Sequence, residues 1–412
     1  MKPTLSLSRR SVKRYQAAQK FSLQKEQNRN DNGASYFGED PTMSRAIGQA
    51  RALKILERFP VVDGVSESGA NEPTGVSNPC YMPNMNLALD QSSFDPSGWV
   101  PREVGHISNH QTDLPRIAKD PKATAAIEAK LAQIPTIHDL HNTDARSLAA
   151  LPADSVHLVV TSPPYWTLKK YRDSDGQLGH VADYDEFVDQ LERVWRECHR
   201  TLVPGGRLVC VVGDVCLSRR KNKGEHTVVP LHASIQDRCR QIGFKNLAPI
   251  IWHKIANAAY EASGNGGGFL GKPYEPNAVI KNDIEYILML RKPGGYRSPS
   301  LSTRILSVIP EEKHRVWFQQ IWTGVTGAST KNHPAPYPIE LVERLVRMFS
   351  FVGDTVLDPF LGTGTTTVAA AKWGRNSIGI EIDPTYFAYA QNRIEKDTRR
   401  LFSGALIRSH NR

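Results

Sequence analysis

From about Ile137 onward, short apolar runs alternate with stretches whose apolar residues recur every three or four positions. Val156–Val160, Arg207–Val212, Ala248–Trp252, Ile284–Leu290, Thr355–Leu357 and Ser377–Ile382 are short and apolar enough to read as buried strands. Phe187, Val188, Leu191, Val194, Trp195 and Cys198 stripe one helix, which the spacing predicts to end at Pro204-Gly205-Gly206. A second helix is predicted from Pro230 to Ile242, closed by Gly243. Ile339, Leu341, Val342, Leu345, Val346 and Phe349 stripe a third; Thr366–Trp373 and Tyr386–Lys396 supply two more. This alternation predicts an α/β class with a mostly parallel sheet and helices on both faces. In such sheets ligands sit beyond the carboxyl ends of the strands, so the residues after each strand are the ones to inspect.

Residues 1–136 read differently. Arg9, Arg10, Lys13, Arg14, Lys20, Lys25 and Arg29 are opposed within residues 1–30 only by Glu26, and residues 61–115 are rich in Gly, Ser, Asn and Pro. Loops and short elements are expected there, in an extension of unknown role. The 412 residues allow two or three domains, or one large domain with insertions. The excess of 52 basic over 42 acidic residues, +10, makes a polyanion a plausible partner. No run approaches the ~18 apolar residues of a membrane helix, and the basic, Ser-rich start has no apolar segment of a secretory signal. The five cysteines (Cys80, Cys198, Cys210, Cys216, Cys239) form no CxxC pair. A zinc site or disulfide framework is disfavoured, no metal is expected, and a reducing cytoplasm is the simplest setting.

Two strand ends carry chemistry. Thr161-Ser162-Pro163-Pro164-Tyr165-Trp166 follows the Val156 strand. Consecutive prolines fix φ twice and remove two N–H donors, leaving backbone carbonyls free to accept. With the Ser162 hydroxyl and the flat faces of Tyr165 and Trp166, this suits a planar group bearing an amine. The alternative is a rigid turn with aromatics in the core. Asp358-Pro359-Phe360-Leu361-Gly362-Thr363-Gly364 follows the Thr355 strand. Gly362 and Gly364 allow close backbone approach at a helix start, and Asp358 at the strand tip could meet a cationic amine. Glu381, at the end of the next strand, stands where an acidic residue takes ribose hydroxyls. The third glycine of a dinucleotide fingerprint is absent, as is the lysine of a triphosphate loop. An amine and a ribose without phosphate describe S-adenosylmethionine; an ordinary tight turn is the plain alternative.

Together the two motifs resemble those of the amino-group DNA methyltransferases, which methylate exocyclic nitrogens of cytosine or adenine. The resemblance spans roughly residues 137–398 and implies an S-adenosylmethionine-dependent, Rossmann-like methyltransferase fold. It implies a catalytic motif at Ser162, Pro163, Pro164 and Tyr165. It implies a cofactor site at Asp358, Phe360, Gly362, Thr363, Gly364 and Glu381, with Asp144 near the adenine and His333 in the segment lining the methionine pocket. The catalytic motif precedes the cofactor motif, as in the family's β group. Residues 137–254 then form the catalytic half, 255–331 a target-recognition segment, 332–398 the cofactor half and 399–412 a basic tail. Arg219, Arg220, Lys221, Lys272, Lys281 and Arg291 are candidates for contacts with double-stranded DNA; each could equally be a solvated surface charge.

An exocyclic amine is a poor nucleophile because its lone pair is delocalised into the ring. Acceptors around its N–H bonds, Ser162 and the Pro163 carbonyl here, would free that lone pair, and positioning would supply much of the acceleration. No cysteine stands in a Pro-Cys setting after a strand, which argues against ring-carbon methylation through a thiolate. A stacked base is inaccessible, so it is expected to flip out and stack on Tyr165. In the resembling family, Ser in the first motif position goes mostly with cytosine-N4 and Asp with adenine-N6. Ser162 thus implies cytosine-N4, with adenine-N6 the alternative, in a restriction–modification setting with a separately encoded endonuclease. RNA or protein-amide methylation, a catalytically inactive DNA-binding relic and a dinucleotide-dependent oxidoreductase are more distant readings.

Overall fold

The computed structural model describes residues 94–169, 171–219, 222–254, 282–328, 336–401 and 404–411. All of them belong to one compact unit, Met82–Arg412. The first described helices are set by their caps. Asn109 accepts from the Gln111 N–H and opens α1 (His110–Lys119); Asp120 accepts from Lys122 and Ala123 and opens α2 (Pro121–Leu131), with Pro121 in its first turn. Composition predicts loops and short elements here. The helices form because Ile117, Ala123, Ile127 and Leu131 find an apolar partner surface in Ile134, Ile305, Val352 and Trp373. Three of those partners stand just before strands, so α1 and α2 cover the end of the sheet where the parallel strands begin.

The chain continues as β1 (Thr136–Asn142), β2 (Val156–Thr161), α3 (Tyr184–Thr201) and β3 (Leu202–Val212). A hairpin of β4 (Val215–Leu217) and β5 (Thr227–Val229) follows, then α4 (Leu231–Ile242), β6 (Lys245–Asn246), β7 (Ile250–His253) and β8 (Ile284–Arg291). Next come α5 (Leu301–Leu306), α6 (Glu311–Trp317), β9 (Ile321–Trp322), α7 (Ile339–Phe349) and β10 (Thr355–Asp358). The last elements are α8 (Thr365–Lys372), β11 (Asn376–Glu381), α9 (Pro384–Leu401) and β12 (Ala405–His410). The main sheet runs β12-β1-β11-β10-β2-β3-β8-β7-β9, with β6 beside β8. From β12 to β3 neighbours are parallel; β8 is antiparallel to β3 and β7.

Side chains alternate across the sheet and divide the core in two. Leu208, Cys210 and Val212 of β3 join Phe187, Leu191, Trp195 and Cys198 of α3 on one face. Val209 and Val211 join Leu341 and Leu345 of α7 and Ala369 of α8 on the other. Each fully buried Leu, Val or Phe contributes about 1.5–3 kcal/mol relative to exposure.

Two boundaries differ from the sequence reading. The helix α3 ends at Thr201, and Pro204-Gly205-Gly206 lies inside β3. Leu202 already pairs with Val156, and a register shift absorbs the prolyl bulge before Arg207 pairs with Leu158. The expected basic tail enters the sheet instead: Ala405–His410 pairs in parallel with Thr136–His141, because β1 would otherwise present an open edge. Among the described residues no helix is long and apolar enough to cross a membrane.

Candidate active site

The Ser162 and Gly362 segments meet because β2 and β10 are neighbours, with Leu158 opposite Val356 and Val159 opposite Leu357. Just beyond that register the Thr161 hydroxyl donates to Asp358 Oδ1 at 2.7 Å. An open cavity lies past the strand ends. Asp144, Ser162, Pro164, Phe360, Gly362 and Glu381 all border it.

Glu381 ends β11 with its side chain in that wall. Its Oε2 accepts from the Gly362 N–H at 2.9 Å and its Oε1 from the Asp383 N–H at 3.0 Å. Burial pushes its carboxyl up to about 7, against the opposing pull of these two N–H donors. Gly362 itself has φ +53°, a left-handed conformation that turns its N–H toward Glu381. Asp144, beyond β1, forms an ion pair of 2.6 Å with Arg146, whose guanidinium also donates to Gln190.

The other proposed residues lie behind this wall. The Asp358 carboxylate is 1% exposed and accepts from four protein donors: Thr161, the Phe360 N–H, Tyr337 and Thr366. It is therefore turned inward, not toward the cavity where the sequence reading aims it. Burial pushes its carboxyl up. Thr363 is buried and accepts from Arg393 of α9 through both its carbonyl and its hydroxyl. Gly364, at φ +78°, packs on the same helix, where a Cβ would come within 2.5 Å of Ile394. Pro163 is buried. Tyr165, expected to offer a face to a ring, is only 8% exposed and packs against Gly213, because its hydroxyl is drawn inward by Val211 and Glu285. Trp166 follows at φ +47°, a strained conformation for a bulky residue. His333 lies outside the described residues. Burial holds the Cys198 and Cys210 thiols far above their ordinary range, so neither is a thiolate. Among the described residues no group of His, Cys, Asp and Glu is arranged to hold a metal.

The model of the N6_N4_Mtase DNA methylase family matches residues 156–392, more than half of the chain. The chain belongs to this family. The type II methyltransferase M.MjaI of Methanocaldococcus jannaschii is 36% identical over 298 residues, covering 65% of this chain and 94% of that one. A putative DNA modification methylase of Thermus thermophilus, TTHA0409, solved in complex with S-adenosyl-L-methionine, is 52% identical, covers 66% of this chain and 98% of its own, and superposes with a TM-score of 0.55. The DNA adenine methyltransferase YhdJ of Escherichia coli K12 is 29% identical over 268 residues, covering 62% of this chain and 82% of that one.

In this family member, sequence reasoning misses part of the cavity wall. Tyr171, Gln177 and Leu178, from the segment between β2 and α3, and Tyr386, in the first turn of α9, also border it. That segment has no periodicity to flag it; its one signal is Gly179, where a Cβ would come within 2.4 Å of the Tyr171 ring. Of the basic candidates, Arg219 sits in the loop between β4 and β5, past the end of β3, and donates to the Gly224 carbonyl. Arg291 does not approach the cavity. Antiparallel β8 ends beside the first half of β3, so Arg291 stands opposite Arg207, at the far end of the sheet from Ser162, and its guanidinium lies over Tyr296. Arg220, Lys221, Lys272 and Lys281 lie outside the described residues.

Proposed function

We propose that this DNA methylase transfers a methyl group from S-adenosylmethionine to the N4 amine of cytosine in a defined sequence of double-stranded DNA. The setting is a type II modification enzyme with a separately encoded endonuclease. One observation carries the reading: Ser162 and Pro164 of one motif border the same cavity as Phe360, Gly362 and Glu381 of the other, nearly two hundred residues away. The wall fits the cofactor. Glu381 is an acceptor for ribose hydroxyls, Asp144 a second acidic group, and Phe360, Leu178, Ile380 and Ile382 give apolar surface for a flat ring. When bound, S-adenosylmethionine supplies an electrophilic methyl carbon. The chain's own part is to hold both reactants in line, keep water out and accept the N–H hydrogens of the target amine at Ser162 Oγ and the Pro163 carbonyl.

The base follows from Ser162 in the first motif position. Similarity to YhdJ supports adenine-N6 as the second reading. Methyl transfer to unmethylated genomic DNA, followed by nucleoside digestion and mass spectrometry, separates the two: N4-methylcytosine is expected, and N6-methyladenine alone refutes the choice of base. Target recognition is assigned to residues 255–331 outside β8, since β8 is a core strand.

A further inference from the structure

The Ser162 hydroxyl begins a string of polar contacts that leads away from the cavity. Ser162 Oγ lies 3.3 Å from Tyr165 Oη. Tyr165 Oη in turn lies 3.2 Å from Glu285 Oε2 and 3.3 Å from the Val211 carbonyl oxygen. Lys254 Nζ donates to the other Glu285 oxygen at 2.7 Å. Glu285 stands in the first turn of pairing between β8 and β7, opposite Trp252, with its side chain against Gly213 beyond the end of β3.

A count of hydrogens fixes the direction of this string. Tyr165 has one hydroxyl hydrogen, and burial together with the Glu285 charge keeps it on the oxygen. Two of the three neighbours of that oxygen, a carboxylate and a peptide carbonyl, can only accept. The hydrogen goes to one of them, and the charged carboxylate is the stronger acceptor. Tyr165 Oη then meets Ser162 only as an acceptor. Ser162 donates its own hydrogen to Tyr165, and its lone pairs remain for whatever stands in the cavity. A target amine brings N–H donors, so an accepting Ser162 is the polarity that the proposed reaction requires.

We infer that Glu285, held in place by Lys254, is a positioning residue that fixes the hydrogen-bond direction from Ser162 to Tyr165 and so keeps Ser162 an acceptor for the target amine. The inference rests on the function proposed above and names two residues beyond its motif. With glutamine at 285, the amide oxygen stays with Lys254 and its NH2 faces Tyr165. Tyr165 then receives a hydrogen from that side, and only the neutral Val211 carbonyl, at 3.3 Å, is left to hold its own hydrogen away from Ser162, so the polarity is weakened.

The test is single-turnover methyl transfer to PCR-amplified, hence unmethylated, genomic DNA, with cofactor affinity measured calorimetrically. Glu285→Gln is expected to slow transfer about ten- to a hundredfold, with unchanged S-adenosylmethionine affinity. This is less than the roughly hundred- to thousandfold for removing a preorganised group that itself touches the reacting atoms, because Glu285 acts through Tyr165. Tyr165→Phe removes the relay, so Glu285→Gln added to Tyr165→Phe should cost nothing more. Lys254→Met, at a half-exposed position, repeats the test from the other end should the Glu285 variant unfold; slower transfer at unchanged affinity is again expected. Wild-type rate in Glu285→Gln, or losses that multiply in the double variant, overturns the inference while leaving the proposed function standing. A wild-type protein that methylates no DNA, or a Ser162→Ala protein at full rate, overturns the reading of the site and this inference with it.

Discussion

Replacing Asp358 with alanine separates a structural carboxylate from a ligand-binding one. Oδ1 holds the Thr161 hydroxyl at 2.7 Å and the Phe360 N–H at 3.1 Å; Oδ2 holds the Thr366 hydroxyl at 2.6 Å and Tyr337 at 3.0 Å. In Asp358→Ala the Tyr337 and Thr366 hydroxyls, already in contact, can satisfy each other. The Thr161 hydroxyl and the Phe360 N–H keep no such partner. Two stranded buried donors at about 1–3 kcal/mol each, plus the small void, give a loss of roughly 3–5 kcal/mol. At about 2–4 °C per kcal/mol for a domain of this size, the cofactor-free protein should melt roughly 10 °C lower. Asp358→Asn should recover most of this. The amide oxygen keeps Thr161 and Phe360, and the hydroxyls of Tyr337 and Thr366 can turn to accept from its NH2. Thermal unfolding without cofactor, beside calorimetry with S-adenosylmethionine, is the assay. An Asp358→Ala protein that melts like wild type yet no longer binds the cofactor would refute the reasoning and restore the role that the strand-tip position suggests.

Ser162→Ala should abolish methyl transfer while S-adenosylmethionine still binds, as read by filter assay and calorimetry. Glu381 gives two pH effects of opposite sign. Its carboxyl, raised to about 7, makes the neutral form the stabilising one, so the cofactor-free protein should lose up to roughly 3 kcal/mol as pH rises from 4.5 through 7. Ribose hydroxyls need the ionised acceptor, so cofactor affinity should instead rise between pH 6 and 8, and Glu381→Gln should flatten both profiles. Gly364→Ala places a Cβ 2.5 Å from Ile394 Cδ1 in a left-handed residue and should cost about 2–3 kcal/mol, seen as a lower urea midpoint. Ile394→Val should recover part of that loss.

What was legible in the sequence is what is local. The α/β alternation follows from spacing that each element carries within itself, and Gly362 and Glu381 follow from strand-to-helix turns of conventional shape. The features that escaped depend on what lies beside them. Ala405–His410 has an exposed Leu406 and polar neighbours, and is a strand only because β1 offers a pairing edge. Arg291 looks available for DNA until β8 is known to run against β3. Tyr171 enters the cavity wall from a segment without any periodic mark, and Tyr386 from the first turn of a helix whose spacing does not say which of its residues reach the cavity.

Asp358 shows the same limit at the centre of the site. Its place at a strand tip says that it is near the ligand, but not which way the carboxylate turns. Thr161 decides that from 197 residues away, across the β2–β10 pairing. This contact also bears on the order of the motifs. Parallel strands paired side by side can bring the proline motif and the glycine loop together whichever comes first in the chain. The site therefore depends on β2 lying next to β10, and the Thr161–Asp358 bond locks that adjacency one residue before Ser162, the proposed acceptor for the target amine.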